Sequence, residues 1–153
     1  MSRMLSNKTV VLGITGGIAA YKAADIASKL TQAGARVNVV MTESATKFIA
    51  PLTLLGITGR PVATDIFEPI SGFEIGHIAL AEAADVVAIA PATANIIAKL
   101  AAGIADDMLT CVVLATEAPV IIAPAMHTSM FQNTVTQDNL AKLKARGFTI
   151  VEP

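Results

Sequence analysis

Val86-Val-Ala-Ile-Ala-Pro-Ala-Thr-Ala-Asn95 is the stretch on which the fold turns. Its apolar run Val86–Ala90, rich in β-branched residues and closed by Pro91, suits a parallel strand buried on both faces at the centre of a sheet. Pro91 has no N–H for a ladder and is expected to end the strand. Thr93 or Asn95 then offers an N-cap for an alanine-rich helix running to about Gly103. A strand, a small-residue loop and a helix start in succession are where open α/β sheets hold ligands. Backbone N–H groups at such a start attract phosphate or another anion, and Ala92, Thr93 and Ala94 let a planar ring approach closely. An ordinary strand-to-helix connection uses the same residue types, so the stretch places a site without naming its occupant.

Upstream, Thr9–Ile14 reads as a first buried strand. Thr15-Gly-Gly-Ile18 turns from it into a helix that carries Ile18, Tyr21, Lys22, Ile26 and Leu30 and is closed by Gly34. The glycines do not form the G-x-G-x-x-G dinucleotide fingerprint, and no acidic residue follows the second strand in the ribose-binding manner. A mononucleotide fits better. Arg36–Met41 is the second strand, followed by Thr42-Glu-Ser44 and a helical Ala45–Ala50. The hydroxyls of Thr42 and Ser44, beside the first glycine turn, suit phosphate oxygens, and a plain helix cap explains them equally. Pro51–Gly59 is a short helix and turn. Arg60–Gly76 is the longest irregular stretch, of a length that is commonly functional or mobile.

Downstream, His77–Ala84 resumes a helical pattern, which puts His77 at a loop-to-helix boundary. Asn95–Ala102 and Asp106–Thr116 read as helices broken at Gly103, Pro119–Ala123 as a strand, Gln132–Arg146 as an amphipathic helix and Phe148–Val151 as a last strand. Alternating strands and helices make a doubly wound parallel α/β sheet flanked by helices, in a single domain over residues 1–153.

Composition narrows the function. The chain has 153 residues, a net charge of −1 and only six aromatic residues, five Phe and one Tyr, so neither a phosphate-neutralising surface nor a stacking platform for nucleic acid is present. A hydrophobic fraction of 54% and a mean hydropathy of +0.63 exceed what a monomer needs. No apolar run is long enough for a membrane helix, and the surplus is assigned to subunit interfaces. One cysteine and no apolar leader point to the cytoplasm. No His, Cys and acidic residues have metal-ligand spacing, and no G-x-S-x-G elbow occurs. Cys111 within Leu109-Thr-Cys-Val-Val reads as a small core hydrophobe. His77 suits proton transfer or a structural role, and His127, beyond a strand end, suits a ligand or a helix cap. Met126 beside it suits a core position or the face of a flat ring.

Four ordered motifs carry a resemblance: Gly16-Gly-Ile-Ala-Ala-Tyr-Lys22, Pro91-Ala-Thr-Ala-Asn95, Gly103-Ile-Ala-Asp-Asp-Met-Leu-Thr110 and Pro124-Ala-Met-His-Thr-Ser-Met130. Together the chain resembles the homo-oligomeric flavin-containing cysteine decarboxylases, above all those acting on 4′-phosphopantothenoylcysteine in coenzyme A biosynthesis. The resemblance implies a Rossmann-like flavoprotein fold with FMN as cofactor. Its phosphate would lie at Gly16, Gly17 and Ile18 with Thr42 and Ser44, and its ring and ribityl chain near Ala92, Thr93, Ala94, Asn95 and Ala125. His77 matches the family's active-site histidine. His127, with Met126 and Asn95, falls in the substrate-binding region, at a position where many members carry a carboxylate-binding asparagine.

The implied reaction oxidises the thiol-bearing carbon to a thioaldehyde, so that loss of CO₂ gives an enethiolate, and then returns the electrons with a proton to give 4′-phosphopantetheine. The resemblance also implies a homotrimer or an assembly of trimers with FMN between subunits, and a phosphopantothenoylcysteine synthetase fused to or associated with the chain. Members that complete the reduction resemble one another in a clamp bearing a cysteine beyond the point matching Val151-Glu-Pro153, and Cys111 is not at that place. The expectation is therefore the amino-terminal part of a longer chain; the alternative is a chain performing part of the cycle. A peptidyl-cysteine decarboxylase and a non-catalytic flavoprotein subunit are the competing readings.

Overall fold

Alternation along the first strand decides how the sheet is filled. In the computed structural model, which describes residues 3–67 and 76–153, β1 (Thr9–Ile14) turns Val10, Leu12 and Ile14 to one apolar layer and Val11 to the other. This is the period of two that a strand imposes. The remaining strands are β2 (Arg36–Met41), β3 (Val86–Ala92), β4 (Val120–Pro124) and β5 (Thr149–Ile150). All pair in parallel, in the order β2-β1-β3-β4-β5.

Seven α-helices flank the sheet among the described residues: α1 (Lys22–Gln32), α2 (Pro51–Thr58), α3 (Gly76–Ala83), α4 (Ala94–Ala102), α5 (Met108–Ala115), α6 (Thr128–Gln132) and α7 (Thr134–Ala145). Ala23 and Ala27 of α1 and Leu54 of α2 bury against one face. Leu80 of α3, Ile96 and Ile97 of α4, Leu109 and Val112 of α5, and Leu140 and Leu143 of α7 fill the other. The first βα turn runs through a short 3-10 helix, Ile18–Tyr21, before α1.

Four local expectations are corrected. Pro91 does not end the central strand, which continues to Ala92. The ladder to β4 shifts register between Ile89 and Ala92, and that irregularity accommodates the missing N–H. Nor is the strand buried on both faces: Val87 and Ile89 have no exposed surface, whereas Val86, Ala88 and Ala90 are half-buried. Among the described residues the α-helices on that second face are α1 and α2, which lie mainly towards β1 and β2. The stretch after Ser44 is a 3-10 turn over Ser44–Lys47 rather than a helix through Ala50, because Pro51 holds the preceding residue extended and starts α2 afresh. The helix expected from Gln132 starts at Thr134, where the Asn133 side chain caps it by accepting from Val135 N–H at 2.9 Å. Ahead of it lies the separate short α6. Within Arg60–Gly76, Ala63 bridges to Val40, and residues 68–75 lie outside the described part.

Gly13 leaves the opening into which α5 packs: a Cβ there would stand 2.5 Å from Leu109 Cδ1. Leu109 is buried over β1 and β3, and Leu109→Ala is expected to lower the unfolding free energy by about 2–5 kcal/mol. A urea titration reads this as an earlier midpoint with unchanged slope, and an unmoved midpoint would contradict the packing described.

Candidate functional site

The strand order reverses between β1 and β3, and a cleft of about 840 Å³ opens at their carboxyl ends. The tips of four strands supply its walls. Gly16, Gly17 and Ile18 follow β1, and Thr42 and Ser44 follow β2. Thr93, Ala94 and Asn95 follow β3, and Ala125, Met126 and His127 follow β4. Residues scattered over more than a hundred positions of sequence thus meet in one place. Ala92 does not join them: it is fully buried within β3, where its carbonyl accepts from Ala125 N–H at 3.0 Å.

A missing side chain brings the first loop close to the second. A Cβ on Gly16 would overlap Ser44 Cβ and stand 2.9 Å from the Ser44 carbonyl carbon, so only glycine permits this approach. The N–H groups that open the helical turn after Gly17 have no partner earlier in their own helix. Thr42 Oγ1 accepts from Ala45 N–H at 3.2 Å, which makes it a local cap and leaves its own O–H free to donate. Thr93 caps α4 by accepting from Ile96 N–H at 3.2 Å. The cradle of small residues, N–H groups and hydroxyls at this end fits a phosphate, and the alanine walls beyond it fit a flat ring.

Thr15 holds the cleft at its base. Its hydroxyl donates to the Pro91 carbonyl at 2.7 Å and accepts from Thr93 N–H at 3.1 Å, joining the tips of β1 and β3. Sequence reasoning passed over it, although a hydroxyl ending an apolar strand must find a partner when buried. Lys99, Asp106 and Asp107 also line the cleft and were missed as site residues. Lys99 Nζ reaches both Asp106 oxygens at 3.0 Å. Asp107 and Thr110 cap α5 reciprocally. Their signal was the Asp-Asp pair just before a helix.

The two histidines separate. His127 lines the cleft, and its Nδ1 lies 3.2 Å from Ser129 N and 2.8 Å from Ser129 Oγ, which makes it the N-cap of α6. His77, in the first turn of α3, lines a different hollow of about 260 Å³ with Ile78, Ala105, Cys111, Leu114 and Ala115. Its Nδ1 is buried without a partner among the described residues. Ala105 faces this hollow while Asp106 and Asp107 face the cleft, so one turn of chain divides the two. Cys111 is half-buried at the hollow rather than in the core, with its thiol 3.6 Å from the Ala105 carbonyl oxygen. Burial raises the pKa of that thiol, and the carboxylates of Asp107 and Asp106 push the same way, so it stays protonated at neutral pH.

Comparison with known proteins matches this geometry. The sequence profile of the flavoprotein family matches residues 1–153. The coenzyme A biosynthesis bifunctional protein CoaBC of Vibrio vulnificus strain YJ016 is 50% identical over 149 residues, 97% of this chain and 37% of that protein. That of Bacillus subtilis strain 168 is 49% identical over 150 residues, 98% of this chain and 37% of its own length. The chain therefore spans somewhat over a third of these curated relatives. Among solved structures, the FMN-dependent cysteine decarboxylase SpaF superposes with a TM-score of 0.92 at 37% identity, covering 97% of this chain and 86% of that one. A PPC decarboxylase mutant complexed with pantothenoylaminoethenethiol gives 0.81 at 32% identity, covering 94% and 81%. With its whole length matched and its cleft at the sheet's switch point, this chain belongs to the flavoprotein family, and its cofactor is a flavin.

Proposed function

We propose that the chain is an FMN-dependent decarboxylase that removes CO₂ from 4′-phosphopantothenoylcysteine during coenzyme A biosynthesis. The observation that carries this reading is the single cleft in which a glycine cradle, alanine walls and His127 meet. Relatives of about 50% identity with coenzyme A names support the choice of substrate. Gly16, Gly17, Ile18, Thr42 and Ser44 would hold the FMN phosphate, and Thr93, Ala94, Asn95 and Ala125 its ring and ribityl chain. Bound there, the flavin supplies a two-electron acceptor and donor for the thiol-bearing carbon, which makes that carbon an electron sink for the charge left by CO₂. Asn95 and Met126 border the substrate, His127 holds its carboxylate, and His77 moves a proton.

Because His77 lies outside its own chain's cleft, its task requires the cleft of a second copy. The half-buried apolar strip of Val86, Ala88, Ala90, Ile121 and Ala123 supports assembly, as does the exposed Leu114 beside the His77 hollow. We therefore assign a homotrimer, alone or grouped with other trimers, acting with a fused or separate phosphopantothenoylcysteine synthetase. The second reading is decarboxylation of a carboxy-terminal cysteine in a peptide, and the superposition on SpaF, named only as a cysteine decarboxylase, leaves open what carries the cysteine. Assaying CO₂ release from both substrates separates them: release from the peptide alone would exclude the coenzyme A reading.

Two substitutions test the site. Gly16→Ala drives a methyl into Ser44 and is expected to weaken FMN binding by on the order of tenfold, read as flavin absorbance per chain. A wild-type flavin content would remove the cradle from the account. His77→Asn chains, inactive alone, and Gly16→Ala chains, stripped of FMN and assayed without added FMN, are expected to regain decarboxylation when FMN-loaded His77→Asn chains are dissociated and reassembled with them. Failure to regain it, with mixed assemblies demonstrated by mass, would show that His77 does not serve a neighbour.

A further inference from the structure

We infer that the backbone of Ser129 fixes His127 as the neutral tautomer protonated on Nε2. The residue then meets the substrate as a single uncharged N–H donor, and not as an acid or base at Nδ1. The inference rests on the decarboxylase reading only for the identity of the ligand; the tautomer stands on geometry alone.

Two groups of Ser129 approach His127 Nδ1, and they differ in freedom. The hydroxyl, at 2.8 Å, turns about its own bond and can either donate or accept, so it is silent about the tautomer. The backbone N–H, at 3.2 Å, cannot turn: its hydrogen is held by the peptide plane and points at Nδ1. A proton on Nδ1 would face that hydrogen directly. A lone pair there satisfies one of the orphan N–H groups that open α6. The cap therefore consumes the acceptor side of the ring, and the proton of neutral imidazole goes to Nε2. His127 borders the cleft, so Nε2–H is the ring's one remaining polar group for a ligand.

The division of labour defines what else can stand at this position. An asparagine offers an oxygen for the Ser129 N–H and keeps an amide N–H for the ligand. An aspartate offers the oxygen and has no donor, and it sets a negative charge beside the substrate carboxylate. Ser129 is on this account a positioning residue, since it sets the tautomer and does not touch substrate.

The test uses the full FMN-loaded protein with ¹⁵N-labelled histidine. The chain has two histidines, so a His77→Asn sample assigns the spectrum. Above the range in which histidine titrates, long-range ¹H–¹⁵N correlation is expected to give His127 an unprotonated Nδ1 and a protonated Nε2. Ser129→Ala, which keeps the backbone N–H, is expected to preserve that pattern. A protonated Nδ1 in the wild type, or a switch on losing the hydroxyl, overturns the inference. His127→Asp and His127→Asn are both expected to fold with near wild-type thermal midpoints. His127→Asp should raise KM for 4′-phosphopantothenoylcysteine by about tenfold or more, and His127→Asn should recover most of that loss. Equal KM in the two variants overturns the donor role. A wild-type protein with the Nε2–H tautomer and no CO₂ release supports the tautomer and overturns the decarboxylase reading instead.

Discussion

The geometry of the whole site depends on the pairing of β1 with β3. From β1 the chain proceeds to α1, whose alanines bury against one face of the sheet. From β3 it proceeds to α4, whose isoleucines bury against the other. Two neighbouring parallel strands that send their helices to opposite faces cannot close the space between their first turns. The cleft is thus a consequence of strand order. Thr15 sets its width, because one hydroxyl bonds both the Pro91 carbonyl and the Thr93 N–H and keeps the two strand tips in register. Small residues then matter in order of closeness: Gly16 against Ser44, and the alanines where a ring needs room.

Much of this was legible in the sequence, for reasons that are local. Runs such as Thr9–Ile14 and Arg36–Met41 have β-branched or apolar content bounded by glycine or polar residues, and the strands fall on those residues. Gly59 and Gly103 each end a helix in a left-handed conformation, which glycine adopts without penalty. The end of the central strand is not legible in sequence, because a proline reads as a terminator whereas a shifted register lets the strand pass it. Nor is the strand's burial, because an apolar residue reports that it avoids water and not what covers it. Val86, Ala88 and Ala90 look the same in sequence as Val87 and Ile89, yet only the second pair is fully buried, while the first three are partly covered from the α1 side. That Thr42, Ser44, Thr93 and Ala94 would line a cleft was readable from the strand-and-turn pattern, whereas Ala125 entered only through the resemblance. Lys99, Asp106 and Asp107 were not readable, since their place in the cleft comes from how α4 and α5 pack.

The position of His77 and the uncovered strip on β3 and β4 belong to one explanation. A chain that leaves apolar side chains half-covered on one sheet face, and places a histidine whose Nδ1 has no partner among the described residues in a hollow away from the main cleft, leaves two needs unmet. In the proposed assembly a second copy meets both. On this view the high mean hydropathy of +0.63 is not an oddity of the core but the composition of a subunit whose core continues across an interface. The turn from Gly103 to Asp107 lies between the hollow and the cleft, with Ala105 lining one and Asp106 and Asp107 the other.

The charges of the cleft limit how it can hold an anion. Lys22 and Lys99 line it together with Glu43, Asp106 and Asp107, so its ionisable side chains do not make it positive. Lys99 is moreover committed to Asp106, with both carboxylate oxygens at 3.0 Å. A phosphate in such a place is held by fixed dipoles: the N–H groups opening the first helical turn and the hydroxyls of Thr42 and Ser44. Dipoles of this kind act over short distances and demand close approach, which is why Gly16 has no room for a methyl group. Point charges on long side chains would have tolerated a looser fit. The same logic reaches His127, whose ring gives its lone pair to a backbone N–H and keeps one N–H for a ligand. Across the cleft, the proposed anions would be met by oriented neutral donors, and the orientation is supplied by the ends of strands and the beginnings of helices.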